Sequence, residues 1–378
     1  VTSLHRTSHR RRRRAATLLA VIVAAGTVGA VAPASATTTT TTTDVVSAST
    51  TVSSLHGLHY VALGDSYASG YGLKPFGNKP ALGCYQAEHD YPHQVAATLG
   101  LTLDDRTCAG ASTANVTDTP QSTDTGAGTA PVQADALRPD TDIVTISIGG
   151  NDLGFTDVIQ NCIASADDGP LFFDINGASY THCRDYYAPV VNGVEQDKLG
   201  AIIRDTLAPR LSHMFDVISQ RAPKAKVFVV GYPTIAPDTS HAPHGCFSSI
   251  FGDSGFEPPF PTNTFPFTSA DTAYIHREEV TLDDTLASAT RAHGFTYVPT
   301  LDASAAHSAC APAADAWIAG LTLTDHATLA NSKPIDGTNY GVLLGAMHPN
   351  AAGVAFLRDQ AATAIARAFC HHHGGADS

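Results

Sequence analysis

The chain has 378 residues, of which 43% are hydrophobic and 15% charged. That composition supports a sizeable core and excludes wholesale disorder. A net charge of −13 excludes a general binder of phosphate backbones, whose surfaces are basic.

In chain order, six basic residues come first: Arg6 and the run Arg10 to Arg14. An apolar stretch, 15–32, follows and ends in Pro33-Ala34-Ser35-Ala36. A basic start, an apolar middle and an Ala-x-Ala ending predict a secretory signal peptide, 1–36, cleaved near Ala36. The alternative, a membrane anchor, fits poorly with so much Ala and Gly. The arginines admit a twin-arginine export route, but the apolar residues that should follow them are not in place. Six of the 22 basic residues and none of the 35 acids lie in this leader, so the remainder carries −19. Threonines 37–43 are unbroken, and 37–54 reads as a Thr/Ser-rich linker. At the other end, 371–378 opens with His371-His372-His373 and reads as a flexible, solvated tail.

Between linker and tail lies one large domain, 55–370. Five short apolar runs predict buried strands over 59–63, 101–103, 143–148, 227–231 and 296–298. Helical patterns fall over 91–99, 132–137, 196–221, 269–293 and 350–369. In the last of these, Val354, Leu357, Ala361, Ala364, Ile365 and Ala368 recur at helical spacing behind Asn350, a candidate N-cap. Pro209 should split or kink the long 196–221 helix. Strands alternating with helices predict an α/β fold with a central parallel sheet of about five strands. Sites in such sheets form beyond the carboxyl ends of the strands.

Three polar segments stand at such places. Gly64-Asp65-Ser66 follows the first strand, Gly149-Gly150-Asn151-Asp152 follows the third, and His348-Pro349-Asn350 precedes the last helix. A serine hydroxyl needs a base to take its proton and donors to hold the oxyanion that forms. Ser66 supplies the hydroxyl. His348 is the natural base, with a pKa near working pH. Asn151 is an amide that donates without titrating. A fourth segment, Cys108-Ala109-Gly110, follows the second strand and offers the Gly110 N–H. Each piece alone is commonplace. Gly252-Asp253-Ser254-Gly255 even repeats the tripeptide, but no strand precedes it and Phe256 follows, so Ser254 reads as a loop residue.

Together, in this order, the four segments resemble the conserved blocks of the SGNH (GDSL) hydrolase family, and most of all its secreted actinobacterial lipase/esterase branch. The resemblance spans about 58–360. It implies a flavodoxin-like three-layer sandwich with disulfide-closed loop insertions. It implies Ser66 as nucleophile, His348 as base, and an oxyanion hole from the Ser66 N–H, the Gly110 N–H and the Asn151 side chain. One position departs from the pattern. Many members carry an aspartate three residues before the histidine, and here that residue is Gly345. The expectation is a Ser66–His348 dyad with the Gly345 carbonyl accepting from the imidazole, or Asp336 if the loop folds back.

Seven cysteines in chain order suggest Cys84–Cys108, Cys162–Cys183 and Cys246–Cys310, leaving Cys370 over. Six cysteines allow fifteen connectivities, and spacing alone does not choose among them. The resemblance implies three disulfides and agrees with this local pairing. No Cys-x-x-Cys or paired-histidine spacing stands outside the tail, and no loop has calcium-ligand spacing, so neither a metal nor a cofactor is expected. The insertion 234–268 holds Phe247, Phe251, Phe256, Phe260, Phe265 and Phe267. They read equally as an apolar wall for an acyl chain or as loop packing. Phe155 and Met347 lie closer in sequence to the candidate site. The expected function is hydrolysis of carboxylic esters, acyl glycerides or other fatty-acyl esters foremost. A carbohydrate or cell-wall acetyl esterase is the first alternative, a non-catalytic secreted binding protein the second. The expected partner is a small ester or lipid, with no nucleic acid, no stable membrane anchor and a monomeric state.

Overall fold

In the segment His59–Gly64, successive side chains turn to opposite faces, and both faces are covered. Tyr60 and Ala62 join one apolar cluster, Val61 and Leu63 another, and all four are buried. This is why the run is apolar throughout rather than alternating, as buried parallel strands are. The computed structural model describes residues 55–123, 126, 128–252, 255, 257–325, 327–328, 331–335 and 339–370. The leader, the linker, the tail, Ser254, Phe256 and Asp336 lie outside the described residues.

The principal elements run in the order β1 (His59–Gly64), α1 (Ser66–Ser69), α2 (Tyr91–Leu99), β2 (Thr102–Asp105), α3 (Thr113–Thr117), β3 (Ile143–Ser147), α4 (Phe155–Asn161), α5 (Ala208–Arg221), β4 (Lys226–Val230), α6 (Ser269–Ala292), β5 (Thr296–Val298) and α7 (Ala351–Cys370). The five strands form one parallel sheet ordered β2-β1-β3-β4-β5. Leu63 pairs with Ile146, and Ile146 with Val229. Helices α2 and α7 cover one face through Tyr91, Val95, Leu99, Val354, Leu357 and Ile365. Helices α5 and α6 cover the other through Leu211, Phe215, Ile218, Leu282 and Leu286. The result is the expected three-layer, flavodoxin-like sandwich. Its strand order turns back beside β1, which opens a crevice between the ends of β1 and β3.

Local chemistry explains the helix ends. The Asn350 side chain accepts from the N–H groups of Ala352 (2.9 Å) and Gly353 (3.1 Å), capping α7. The long helix expected over 196–221 is three pieces: Lys198–Ile202, a π turn over Ile203–Leu207, and α5 with Pro209 in its first turn. Pro209 has no N–H and its ring crowds the carbonyl four residues earlier, so the ladder widens ahead of it. The stretch expected as a helix over 132–137 is a 3-10 turn, Gln133–Ala136. A three-stranded sheet of Leu323–Thr324, Ser332–Pro334 and Gly341–Leu343 was not expected. Its strands are too short to show a period.

A third apolar cluster lies in the insertions and includes Tyr67, Cys162, Cys183, Phe265, Phe267, Tyr274 and Met347. Disulfides join Cys84 to Cys108, Cys162 to Cys183 and Cys246 to Cys310. Cys370 is exposed at the end of α7. No helix among the described residues is long and apolar enough to cross a membrane.

Candidate active site

The turn after β1 sets the position of Ser66. Gly64 has φ +139°, and a Cβ there would stand 2.5 Å from the Ser147 carbonyl oxygen, so only glycine fits. Gln133 clamps the same residue. Its side-chain oxygen accepts the Gly64 N–H (2.8 Å) and its amide donates to the Gly64 carbonyl (2.9 Å). The Asp65 N–H then donates to the Ser147 carbonyl (3.0 Å), and the Asp65 carboxylate caps α1 by accepting the Tyr67 N–H (3.0 Å). Ser66 is the first residue of α1, 8% exposed.

His348 reaches it from 282 residues away, its Nε2 standing 2.7 Å from Ser66 Oγ. Nδ1 lies 2.8 Å from the Ala346 carbonyl oxygen. The expectation for Gly345 is therefore corrected by one residue. The Gly345 carbonyl accepts the backbone N–H of His348 (3.0 Å) instead. Gly345 has φ +90° and Met347 φ +58°, and this tight turn swings the next carbonyl, that of Ala346, under the imidazole. Since a carbonyl only accepts, Nδ1 carries the proton and Nε2 presents its lone pair to the serine. Asp336, the alternative acceptor, lies outside the described residues.

The ring is packed as well as bonded. Tyr67, Tyr71 and Phe155 hold their ring centroids 4.8, 4.9 and 6.0 Å from that of His348. The Tyr67 hydroxyl donates to the Met347 carbonyl (2.6 Å), tying the helix after Ser66 to the histidine loop. Burial holds the imidazole down, to about 4 from an ordinary 6.5. It is thus neutral at neutral pH.

Gly110 and Asn151 stand on neighbouring loops that are bonded to each other. The Asn151 amide donates to the Ala111 carbonyl (2.9 Å). Asp152, its side chain fully buried, accepts from the Thr113 N–H (3.0 Å) and hydroxyl (2.6 Å). Cys108 fastens the Gly110 loop to the sheet by donating its N–H to the Gly64 carbonyl (3.0 Å). Gly110 itself is exposed, and its N–H meets no acceptor among the described residues.

Three contributors are not visible as motifs. Tyr232, just past β4, donates its hydroxyl to Asp65 and accepts the Gly150 N–H (3.0 Å), so one phenol joins the first and third segments. Its place beyond a strand's carboxyl end was the only signal. Gln133 and Tyr67 act through partners 69 and 280 residues away. Burial, only partly offset by the Tyr232 bond, pushes the Asp65 carboxyl up to about 7.

Ser66 and Asn151 open onto a pocket with about 830 Å3 of atom-free space, part of it open solvent. Its walls are mostly apolar, including Leu153, Phe155, Val158, Ile159, Leu199 and Ile275. Phe155 is thus at the site. Met347 stands beside the site without lining the pocket, its side chain buried in the same cluster as Tyr67 and its carbonyl accepting the Tyr67 hydroxyl. The described phenylalanines of 234–268 do not line this pocket. Phe265 and Phe267 pack on each other (centroids 4.8 Å apart) within the insertion cluster, so of the two readings the structure takes loop packing.

A hydroxyl paired with an imidazole at the switch point of a parallel sheet of flavodoxin-like topology is the arrangement that serine-based hydrolysis requires. The GDSL-like lipase/acylhydrolase family model matches residues 62–356, and the chain belongs to that family as a carboxylic-ester hydrolase. Lipase 2 of Streptomyces coelicolor (strain ATCC BAA-471 / A3(2) / M145) is 31% identical over 296 residues, 78% of this chain and 82% of that protein. Two crystal structures share the fold at 23% identity. Phospholipase A1 of Streptomyces albidoflavus NA297 has a TM-score of 0.53 over 82% of this chain and 99% of its own. The extracellular lipase of Streptomyces rimosus has a TM-score of 0.52 over 82% of this chain and 100% of its own.

Proposed function

We propose that the protein is a secreted serine esterase or lipase that cleaves fatty-acyl esters through a Ser66–His348 dyad and an acyl-enzyme. The observation that carries this reading is the relay Ser66 Oγ, His348 Nε2, His348 Nδ1, Ala346 carbonyl, with spacings of 2.7 and 2.8 Å at its two hydrogen bonds. Nε2 takes the hydroxyl proton as Oγ attacks the ester carbonyl carbon. The charge that develops on the carbonyl oxygen is met by the N–H groups of Ser66 and Gly110 and by the Asn151 amide. The imidazolium returns its proton to the leaving alkoxide, and the alcohol departs. Water, deprotonated by the same nitrogen, then attacks the acyl-enzyme and frees the acid and Ser66.

A peptide carbonyl bears only a partial charge, so it stabilises the imidazolium less than a carboxylate does. It still fixes the tautomer and the ring plane. The apolar pocket beside Ser66 supports an acyl chain as its occupant rather than a sugar, whose hydroxyls need polar partners. Export is supported by the basic-apolar leader and the three disulfides, which persist in oxidising compartments.

A chromogenic ester series from acetyl to palmitoyl, with phosphonate labelling read by peptide mass spectrometry, tests the reading. Turnover that rises with acyl length, and label on Ser66, are expected. Activity on acetyl esters alone favours the acetyl-esterase alternative. No turnover of any ester and no label on Ser66 overturns the mechanism.

A further inference from the structure

Away from Ser66, three side chains converge where α2 meets β2. Asp90 caps α2. Its Oδ1 accepts the His93 N–H (2.9 Å) and lies 2.8 Å from His93 Nδ1. Asp105 ends β2. Its Oδ1 accepts the Thr107 N–H (2.9 Å) and hydroxyl (2.7 Å). The other oxygen of each carboxylate, Oδ2, is buried and takes no hydrogen bond. The Asp90 side chain is 0% and that of Asp105 4% exposed. His93 Nδ1 stands 3.4 Å from Asp105 Oδ2, and one donor atom from each of the three residues lies within 4.8 Å of the others.

Two buried carboxylates aimed at one point repel each other, and an orphaned carboxylate oxygen in the interior is costly. The adjacent Arg106 does not relieve them, because its guanidinium is turned onto Asp104 (2.7 Å). A cation of charge two satisfies both oxygens at once without either carboxylate taking up a proton. An imidazole nitrogen beside two carboxylates suits zinc and its neighbours, whereas calcium and magnesium take oxygen shells. The outer partners a zinc site needs are in place: Thr107 orients Asp105, and the His93 N–H orients Asp90. The His93 side chain is 41% exposed, which gives the ion an entry path and room for a water ligand.

We propose that Asp90 Oδ2, Asp105 Oδ2 and His93 Nδ1 bind one structural zinc ion. With the ion on Nδ1 the imidazole is neutral and carries its one proton on Nε2, and a proton displaced from Nδ1 leaves through solvent. The ion then clips the first turn of α2 to the end of β2. The loop that begins at Arg106 carries Cys108 and Gly110, so the clip braces that loop at its start, and the Cys84–Cys108 bridge holds it two residues further on. The ligands lie 3 and 12 positions apart in sequence on two elements, which is why no metal spacing shows in the sequence.

The test uses the full chain with His371→Ser, His372→Ser and His373→Ser, so that the tail cannot bind the metal. About one equivalent of zinc by elemental analysis is expected. Stripping with dipicolinate should lower Tm by roughly 4 °C, and zinc chloride should restore it. Asp105→Asn satisfies Asp90 with an amide and should leave a Tm that zinc does not move. If that variant fails to fold, His93→Gln should weaken zinc affinity at least tenfold by calorimetric titration. A tail variant whose Tm ignores both chelator and zinc overturns the proposal, as does an equal zinc response in Asp105→Asn or His93→Gln.

Discussion

In the sheet, neighbours follow from register: Leu63 meets Ile146 because β1 and β3 run parallel, and Ile146 meets Val229 for the same reason. In the insertions over the site, neighbours follow from bridges and loop packing. Phe265 lies on Phe267, and Cys162 is bonded to Cys183. The sheet side delivers Ser66, Gly110 and Asn151 from the ends of three adjacent strands, β1, β2 and β3. Wall residues such as Phe155, Val158 and Ile159 come from α4, the helix that opens the first insertion. On the proposed mechanism, chemistry and selectivity are carried by parts of the chain under different constraints, and variants should separate them.

The largest effect belongs to the strand ends. Ser66→Ala should lower kcat by roughly 10⁴-fold or more with an unchanged circular dichroism spectrum, since members of a catalytic unit fail together. Asn151→Ala should cost about 10²–10³ in kcat and little in KM, as the loss of one oxyanion donor does. An insertion variant should behave oppositely. Ile159→Ala should weaken kcat/KM for long-chain esters by about tenfold and leave acetyl esters nearly untouched. Equal losses on both esters would erase the division between chemistry and selectivity.

Acidification sharpens the comparison. The His348 imidazole titrates near 4, below its ordinary 6.5, because it is buried. Catalysis needs the neutral form, so the acid limb of kcat/KM for the free enzyme should fall near pH 4 rather than 6.5. The stability sign is separate. Between pH 6.5 and 4 the unfolded chain takes up a proton that the buried ring refuses, so the contribution of His348 to stability falls with pH in that window, while Asp65, raised to about 7, contributes in the opposite sense. Activity per folded molecule, rather than Tm, is therefore the readout for His348. The smallest expected effect is at Asp336. Asp336→Asn should leave the pH–rate profile unchanged, because the Ala346 carbonyl already accepts the hydrogen bond from Nδ1–H.

Buried runs bounded by turn residues made the five strands legible to within one or two residues, and their alternation with helices indicated the layers. The four polar segments were legible because short local motifs suffice to mark them. Tyr232 was not, since its part depends on Asp65 and Gly150 meeting across 167 and 82 residues. Gln133 was hidden in the same way. The histidine's acceptor was misplaced by one residue because the choice between two successive carbonyls depends on backbone angles at Gly345 and Met347. A positive φ at methionine is not written in residue type. The pocket wall stayed open between two readings because aromatic content does not say which way a loop faces.

The acceptor beneath His348 is part of the peptide chain itself. No codon change at Ala346 can delete a carbonyl, so the usual side-chain truncation has nothing to remove there. Only a change in the path of the chain can break this hydrogen bond. Its vulnerable points are therefore Gly345, where a Cβ would press to 3.0 Å from Gly72 Cα, and Met347, which already holds a left-handed turn. A mutational scan of the loop should find sensitivity on either side of Ala346 and tolerance at Ala346 itself, the reverse of the pattern an aspartate would leave.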